Sequence, residues 1–264
     1  MVNDLLDTTE MYLKTVFELK EEGIPALRAR IVERLDQSGP TVSETVGRLE
    51  RAGLLVVGPD REIRFTPEGC RRAAHVMRRH RLAECLLLEV IGLELEKIHD
   101  EACRWEHALS DEAAERISAL LNAPKQDPFG NPIPAETCCQ LSGESALPGN
   151  EPEPMIISAA AAGLTPLVDV TPGPEIWRLM RIAEVLQADG ELLAELRPVG
   201  LVPGVQVQVV AREQQVLQIA VLADDAAATD TPDMDGGAAT DTPDTVAVPE
   251  YVAQALFVAM VPQR

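Results

Sequence analysis

The sequence predicts a mainly helical protein that closes with a small β-rich domain. Two compact helical patterns, "LRARIVERLD" and "TVSETVGRLERAG", are joined by a tight turn at "QSGP", the outline of a helix-turn-helix. A long, intensely apolar helical stretch runs from Cys70 to about Leu121. Past a segment rich in Pro, Gly and Ala, "EIWRLMRIAEVL" and "GVQVQVVAREQQVLQIAVL" show the alternation of half-buried strands.

Taken in order, "DTTEMYLKTVFELKEEG" is expected to be a helix entered through Asp7, with Glu10 closing a capping box and Gly23 as the stop. Met11, Val16 and Leu19 follow helical spacing within it. After the helix-turn-helix, "LLVVGPDREIRFTPEG" alternates around a Gly-Pro-Asp turn and reads as a hairpin, so residues 1–73 make a winged helix-turn-helix domain. Residues 74–140 form a second helical domain around "LAECLLLEVIGLELEKIHDEACRWEHAL". An apolar side of that size must be buried against another element, and in a small regulator that element is often a partner subunit. The Pro-rich stretch from Pro124 to Pro174 places a linker at 141–173, and 174–264 is the β-rich domain. Within it "ATDTPD" occurs at 228–233 and again at 239–244, marking an acidic insertion at about 223–245 that is expected to be disordered. "TVAVPEYVAQALFVAMV" completes the domain.

With 264 residues, 46% of them hydrophobic, there is material for two ordinary cores, although aromatics make up only 3%. The N-terminal stretch has no basic region leading into an apolar run, and no run of about 18 apolar residues lacks a charge, which argues against export and membrane spanning. The expected location is the cytoplasm. Five cysteines, an odd number without a small-scaffold spacing, are there expected as thiols or metal ligands rather than disulfides. The net charge of -20 would exclude nucleic acid if it were evenly spread. It is not: Ile24 to Arg81 holds twelve arginines against seven acids, and Cys138 to the end holds five against eighteen. Phosphate binding depends on the local excess.

The stretch "HDEACRWEH" places His99, Cys103, Glu106 and His107 within nine residues. On a helix, residues three and four apart share a face, so Cys103, Glu106 and His107 can converge on one point, with His99 a turn earlier. A thiolate, a carboxylate and an imidazole suit Fe²⁺, Zn²⁺, Co²⁺ or Ni²⁺, and such a site tolerates a thioether such as Met11. His80 and Glu84 have the same i, i+4 spacing and could join His99 in another site. Spacing alone leaves the metal reading level with a plainer one, in which these are packed or solvated side chains. A metalloenzyme would need an open coordination position, a general base and a substrate pocket, and neither H-E-x-x-H nor a nucleophile elbow occurs. A winged-helix protein with a purely structural zinc is the third reading.

"DTTEMYL", "LRARI", "ERLDQSGPTVS", "HRLAE", "HDEACRWEH" and "PFGNPIP" together resemble the diphtheria toxin repressor and iron-dependent regulator family, nearly without gaps over about residues 3 to 134. "RIAEVLQADGELLAEL" resembles the start of that family's SH3-like C-terminal domain. The resemblance implies a cytoplasmic, metal-dependent repressor with two metal sites per subunit, one of Met11, Cys103, Glu106 and His107, the other of His80, Glu84 and His99. The family's SH3-like domain adds a glutamate and a glutamine to the second site; the corresponding positions are read here as Asp189 and Leu192, with Glu191 as substitute donor. Iron is the implied effector, with Mn²⁺ as the alternative and Co²⁺, Ni²⁺ or Zn²⁺ as substitutes in vitro. The implied partners are double-stranded operator DNA and a second subunit, with two dimers per operator as one arrangement. Arg28, Arg30, Arg48, Arg51 and Arg61 are candidate phosphate contacts; Ser38, Pro40, Thr41, Ser43 and Glu44 lie where a recognition helix begins, and Thr8 is grouped with them. Where the family has serine and glutamine, this chain has Asp127 and Glu44. Asp127 makes an anion near Arg81 and Asn131 less welcome, and Glu44 can only accept hydrogen bonds.

Overall fold

The computed structural model describes residues 2–135, 156–222 and 245–262. It divides into two compact units, Met1–Ala162 and Gly163–Arg264. The first unit contains α1 (Val2–Glu21), α2 (Arg28–Leu35), α3 (Gly39–Arg51), the hairpin β1 (Leu55–Val57) and β2 (Ile63–Phe65), then α4 (Pro67–Leu86), α5 (Leu95–Trp105) and α6 (Asp111–Leu120).

Helix α1 begins well upstream of its expected entry, so Asp7 lies within the helix and not at its start. Glu10 closes no capping box either; its carboxylate reaches Arg79 and His107. A capping sequence starts a helix only where the residues before it stop one, and "VNDLL" continues it. Gly23 ends this segment at φ 76°, as expected. α3 is capped by Ser38, whose Oγ accepts from the Thr41 amide at 3.3 Å, and Pro40 occupies its first turn. Val42, Val46 and Leu49 on α3 join Ile31 and the α1 residues Tyr12, Leu13, Val16 and Phe17 in one core. The opposite face, with Thr41, Ser43, Glu44 and Arg51, is exposed.

The wing pairs Leu55 with Phe65 and Val57 with Ile63, which sends Leu55, Ile63 and Phe65 into the core. Thr66 joins it to α4: its hydroxyl donates to the Gly53 carbonyl at 2.7 Å and accepts from the Gly69 amide at 3.0 Å. Gly69 permits the close approach, since a Cβ there would lie 1.8 Å from the Leu54 carbonyl oxygen. The single helical stretch expected from Cys70 to Leu121 is broken: α4 runs into a π-helical turn at Leu87–Ile91, Gly92 takes φ 78°, and α5 starts anew. The cysteine expectation also needs correction. Cys70, buried in α4, is disulfide-bonded, with its partner outside the described residues, while Cys85 and Cys103 carry free thiols. An odd count cannot reveal one bridge among five.

The second unit is an antiparallel six-stranded sheet. It comprises β3 (Thr165–Pro166), β4 (Trp177–Ile182), α7 (Glu184–Gln187), α8 (Gly190–Leu196), β5 (Gln206–Glu213), β6 (Val216–Leu222), β7 (Thr245–Pro249), α9 (Glu250–Ala253) and β8 (Leu256–Met260). The strand order is β3-β8-β4-β5-β6-β7. Leu179, Val207, Val209, Leu217, Ile219, Val248 and Phe257 are buried in it. "EVLQ", expected to prolong a strand, is α7, because Ala183 turns the chain and four residues suffice for one helical turn. The repeat-containing insertion lies outside the described residues; β6 and β7 on either side pair directly, Ala220 opposite Thr245. No helix among the described residues is long and apolar enough to cross a membrane.

Replacing Gly69 by Ala forces the wing away from α4 and is expected to cost about 2–3 kcal/mol of folding stability. Gly39→Ala, which meets nothing within 4 Å, is the control and should change stability by less than about 1 kcal/mol. Urea unfolding of both variants checks this; equal midpoints would show that the Leu54 contact is not tight.

Candidate metal centre and DNA-facing surface

The expected donors of α4 and α5 come together where these two helices meet. On α4, His80 and Glu84 stand one turn apart and are fully buried, with His80 Nε2 2.9 Å from Glu84 Oε1. From α5, His99 Nδ1 approaches the same oxygen at 3.2 Å, and the two imidazoles meet edge to face at 4.8 Å. Cys103 Sγ lies 3.5 Å from His99 Nε2. Glu106, at the end of α5, places Oε2 2.6 Å from His80 Nδ1 and Oε1 3.3 Å from His107 Nε2. The two sets expected from the sequence are therefore adjacent, and they share contacts: Glu106 of the first touches His80 of the second. His80, His99 and Cys103, which mix the two sets, bring one donor atom each within 4.8 Å of one another. Met11 sits on α1 beside Glu10, half-buried against the core of the unit.

Two residues missed in the sequence reach this centre from α1. Lys14 Nζ lies 3.1 Å from Glu106 Oε2, 3.1 Å from His80 Nδ1 and 3.6 Å from Cys103 Sγ. Glu10 Oε2 is 2.6 Å from His107 Nδ1, and Oε1 accepts from Arg79 at 3.0 Å. The signal was present, since Lys14 follows Met11 by three residues and shares its helix face.

Charge sets the chemistry. Burial opposes ionisation of Glu84, but His80 and His99 hold it down at about 2. Burial likewise opposes Glu106, which Lys14 and His80 hold at about 2. The Cys103 thiol, raised by burial, is brought down to about 6 by the Lys14 ammonium and the two histidines. Burial pushes His99 down, yet Cys103 and Glu84 lift it to about 9; His80, opposed by burial and by Lys14, is still held well above its usual value by Glu84, Cys103 and Glu106. A deprotonated thiolate, two carboxylates and three imidazoles are a donor set for a first-row divalent ion. A buried Glu84 oxygen, Oε2, accepts no hydrogen bond, and an acceptor in that state fits a cation. A metal could be held here.

Beside the centre, Arg81 is completely buried. It donates to both Glu21 oxygens at 3.0 and 2.6 Å and to the Pro132 carbonyl at 2.6 Å, which ties α4 to the end of α1. Its Nε is 3.7 Å from Asp127. Asp127 accepts from the Phe129 and Asn131 amides, both at 2.8 Å, and from Asn131 Nδ2 at 2.9 Å. Its own carboxyl thus fills the polar nest in which the resemblance places an anion. Burial and the Glu84 charge push Asp127 up to about 8, against Arg81.

The remaining candidate donors lie in the second unit. Asp189 is committed to capping α8, accepting from the Leu192 amide at 3.0 Å, and Glu191 is exposed. Glu184 and Gln187 of α7 are buried instead, and Gln187 Oε1 accepts no hydrogen bond. Glu184 and Gln187, a glutamate and a glutamine one helical turn apart, are thus buried on α7, while Asp189 and Glu191 lie at the start of α8.

On the DNA-facing candidates, Arg30, Ser38, Pro40, Thr41, Ser43, Glu44, Arg51 and Arg61 are exposed; Thr8, Arg28 and Arg48 are half-buried. Pro40, Glu44, Arg48 and Arg51 share one face of α3 by spacing. Arg61 sits at the wing tip with φ 66°. Arg30 is paired with Glu33 at 2.7 Å. Ser38 is occupied by its cap, with Oγ also 2.8 Å from Thr41 Oγ1.

Residues 4–63 match the family described as iron dependent repressor, N-terminal DNA binding domain, and residues 66–135 match the iron dependent repressor metal binding and dimerisation domain. The chain is 43% identical over 242 residues to the diphtheria toxin repressor of Corynebacterium efficiens, covering 89% of this chain and 99% of that one. It is 48% identical over 209 residues to the iron-dependent repressor IdeR of Mycobacterium tuberculosis, covering 79% and 86%. Among solved structures, a manganese-dependent transcriptional repressor in complex with manganese superposes with a TM-score of 0.71 at 26% identity, over 96% of this chain and all of the other.

Metal ligation needs neutral imidazoles, whereas His99 is held at about 9 and His80 is pushed upward by its carboxylate neighbours, so metal binding is expected to release protons. Affinity for a divalent ion is expected to rise as pH rises from 6 towards 9. The metal-free fold should show the opposite sense: the His99 contribution is complete below its ordinary value of 6.5 and is lost as pH rises through about 9. Calorimetric titrations in buffers of different ionisation enthalpy measure the released protons. A pH-independent affinity would remove the histidines from the ligand set.

Proposed function

The chain belongs to the iron-dependent repressor family, and on that footing we propose that it is a DNA-binding transcriptional repressor activated by ferrous iron, the alternative within the family being activation by manganese. The observation that carries this reading is the buried donor cluster on α4 and α5, packed against α1, the helix that shares its core with α2 and α3 of the helix-turn-helix. Met11, Cys103, Glu106 and His107 would hold one ion, and His80, Glu84 and His99 the other, two per subunit. Such an ion supplies the attraction that holds thiolate, carboxylates and imidazoles together.

The chain's own residues convert that into a switch. Cys103 and Glu106 belong to α5 and its end, His80 and Glu84 to α4, and Met11 to α1, so closing the donors fixes α1 against the other two. α1 passes its position to α2 through Glu22, which accepts from Arg34 at 3.0 and 2.5 Å. α2 in turn packs on α3. Metal and operator affinities are then coupled reciprocally. The subunits of a homodimer would meet at the π-helical turn, where Val90 and Ile91 are 57% and 51% exposed beside half-buried Leu88, Leu93 and Leu95. Two copies of α3 would then face a palindromic operator, with two dimers per operator as a further arrangement. Residues 1–73 act as the winged helix, 74–140 as the metal-binding and dimerisation region, and the part from 174 on as the SH3-like domain.

Titrating an operator fragment with purified protein under anaerobic conditions, with and without Fe²⁺, tests this directly. Cys103→Ala and His107→Ala are expected to stay dimeric and to lose the metal-dependent gain in DNA affinity. A full metal response in either variant would disprove the first site. Fe²⁺ should activate at a lower free concentration than Mn²⁺, and the reverse order would favour the manganese alternative.

The exposed α3 face yields a second test. Arg51→Ala should weaken all sequences about equally and lower the salt slope by about one unit. Glu44→Gln should raise affinity throughout, and if Glu44 accepts from a cytosine amino group it should also relax preference at one base pair by about 1–3 kcal/mol. Competition against single-base operator variants at several salt concentrations separates the two. No effect from Glu44→Gln would mean that α3 is not the reading helix.

A further inference from the structure

Lys14 is the residue for which the functional reading above has no use. It is only 7% exposed, and its ammonium lies against Glu106, His80 and Cys103 together, the groups a metal ion would use. A buried ammonium is stable only with anionic partners, here Glu106 and Cys103. A divalent ion needs the same partners, and at these distances two cations in a poorly screened interior repel strongly. The cluster therefore accommodates one or the other. The side chain also has somewhere to go. Glu18, one turn further along α1, has Oε1 4.0 Å from Lys14 Nζ, and its Oε2 is 4.0 Å from Arg34 on α2. A four-carbon stem can swing between the two carboxylates, Glu106 and Glu18, by changing rotamer.

We propose that Lys14 is a resident cation of the metal centre: it neutralises Glu106 and Cys103 in the metal-free protein and must be expelled towards Glu18 before an ion can bind, so that it sets the metal concentration at which the protein responds. This inference rests on the metal-responsive reading and deepens it. It also gives the switch a second arm, because expulsion moves a positive charge from the centre to the joint between α1 and α2. A simple structural lysine would stabilise the fold but leave the metal threshold unchanged.

The test uses the full chain at one fixed pH, with Co²⁺ as the probe. Binding is followed by the thiolate-to-cobalt absorption band and by calorimetry, and the thermal midpoint is measured without metal. Lys14→Gln should lower the metal-free midpoint and tighten Co²⁺ binding by about tenfold or more. Lys14→Arg, which keeps the charge, should bind within about threefold of the unaltered chain. Unchanged or weaker binding by Lys14→Gln would overturn the proposal. If that variant does not fold without metal, Lys14→Arg decides: an affinity like that of the unaltered chain supports a resident charge, and markedly tighter binding refutes it. Failure of the unaltered chain to bind Co²⁺ at all would count against the metal-responsive reading itself, a different outcome from equal affinities.

Discussion

A buried, internally balanced charge cluster holds the first unit together. Lys14, His80 and His99 carry positive charge against Glu84, Glu106 and Cys103, and every member is buried or nearly so. Any one of these groups left alone in such a place would cost several kcal/mol. Together they are tolerable only in one arrangement, and that arrangement requires α1, α4 and α5 to meet at one point. The Arg81–Glu21 pair fastens α1 to α4 a second time, at its far end. With α1 held by charge at its middle and at its C-terminal end, Tyr12, Leu13, Val16 and Phe17 pack into one core with α2 and α3. A cluster that balances through protons and an ammonium is responsive by construction, because a divalent ion changes all of these charges at once.

The output surface obeys a different rule, since it faces water. A chain with net charge -20 can present a cationic face because its charges are unevenly spread: after Cys138 only five arginines face eighteen acids, whereas the helix-turn-helix and wing keep an arginine excess. Within that face the arginines are not equivalent. Arg34 and Arg64 are spent on Glu22, Asp60 and Glu62, and Arg30 on Glu33, while Arg51 and Arg61 project freely enough to meet phosphate. Glu44 in the middle of the α3 face lowers attraction for any duplex, and base reading is the one interaction through which it would add discrimination.

How much of this the sequence revealed depends on whether the relevant spacing was local. The helix-turn-helix, the wing and the clustering of His80, Glu84, His99 and Cys103 were legible because caps, turns and i, i+4 pairs are properties of neighbouring residues: Ser38 with Thr41, His80 with Glu84, His99 with Cys103. The start of α1 was not, since a capping signature at Asp7 says nothing about whether the preceding residues are already helical. α7 was misread because four residues of mixed polarity fit a strand as well as a single turn. The burial of Glu184 and Gln187 likewise emerges only once α7 exists. Lys14 and Glu10 remained hidden for a further reason. Their partners are 92 and 97 positions away in sequence, so only the packing of α1 on α5 reveals them.

The choice between iron and manganese follows from the same cluster. Glu84 and Glu106 offer hard oxygen donors that suit either ion, and the histidines discriminate little. Cys103 is the donor that separates them. An isolated buried thiol would be protonated and a poor ligand, but here the Lys14 ammonium and the two histidines bring it to about 6, so the thiolate already exists at neutral pH. The cation that competes with the metal is thus also the one that prepares its softest ligand. A preformed thiolate favours ferrous iron, cobalt, nickel and zinc over manganese. Affinity alone would favour nickel and zinc over iron, and the Lys14 barrier raises the threshold for all of them alike. The ferrous effector proposed above therefore requires that the free concentrations of the tighter-binding ions stay low enough for iron to reach the site first.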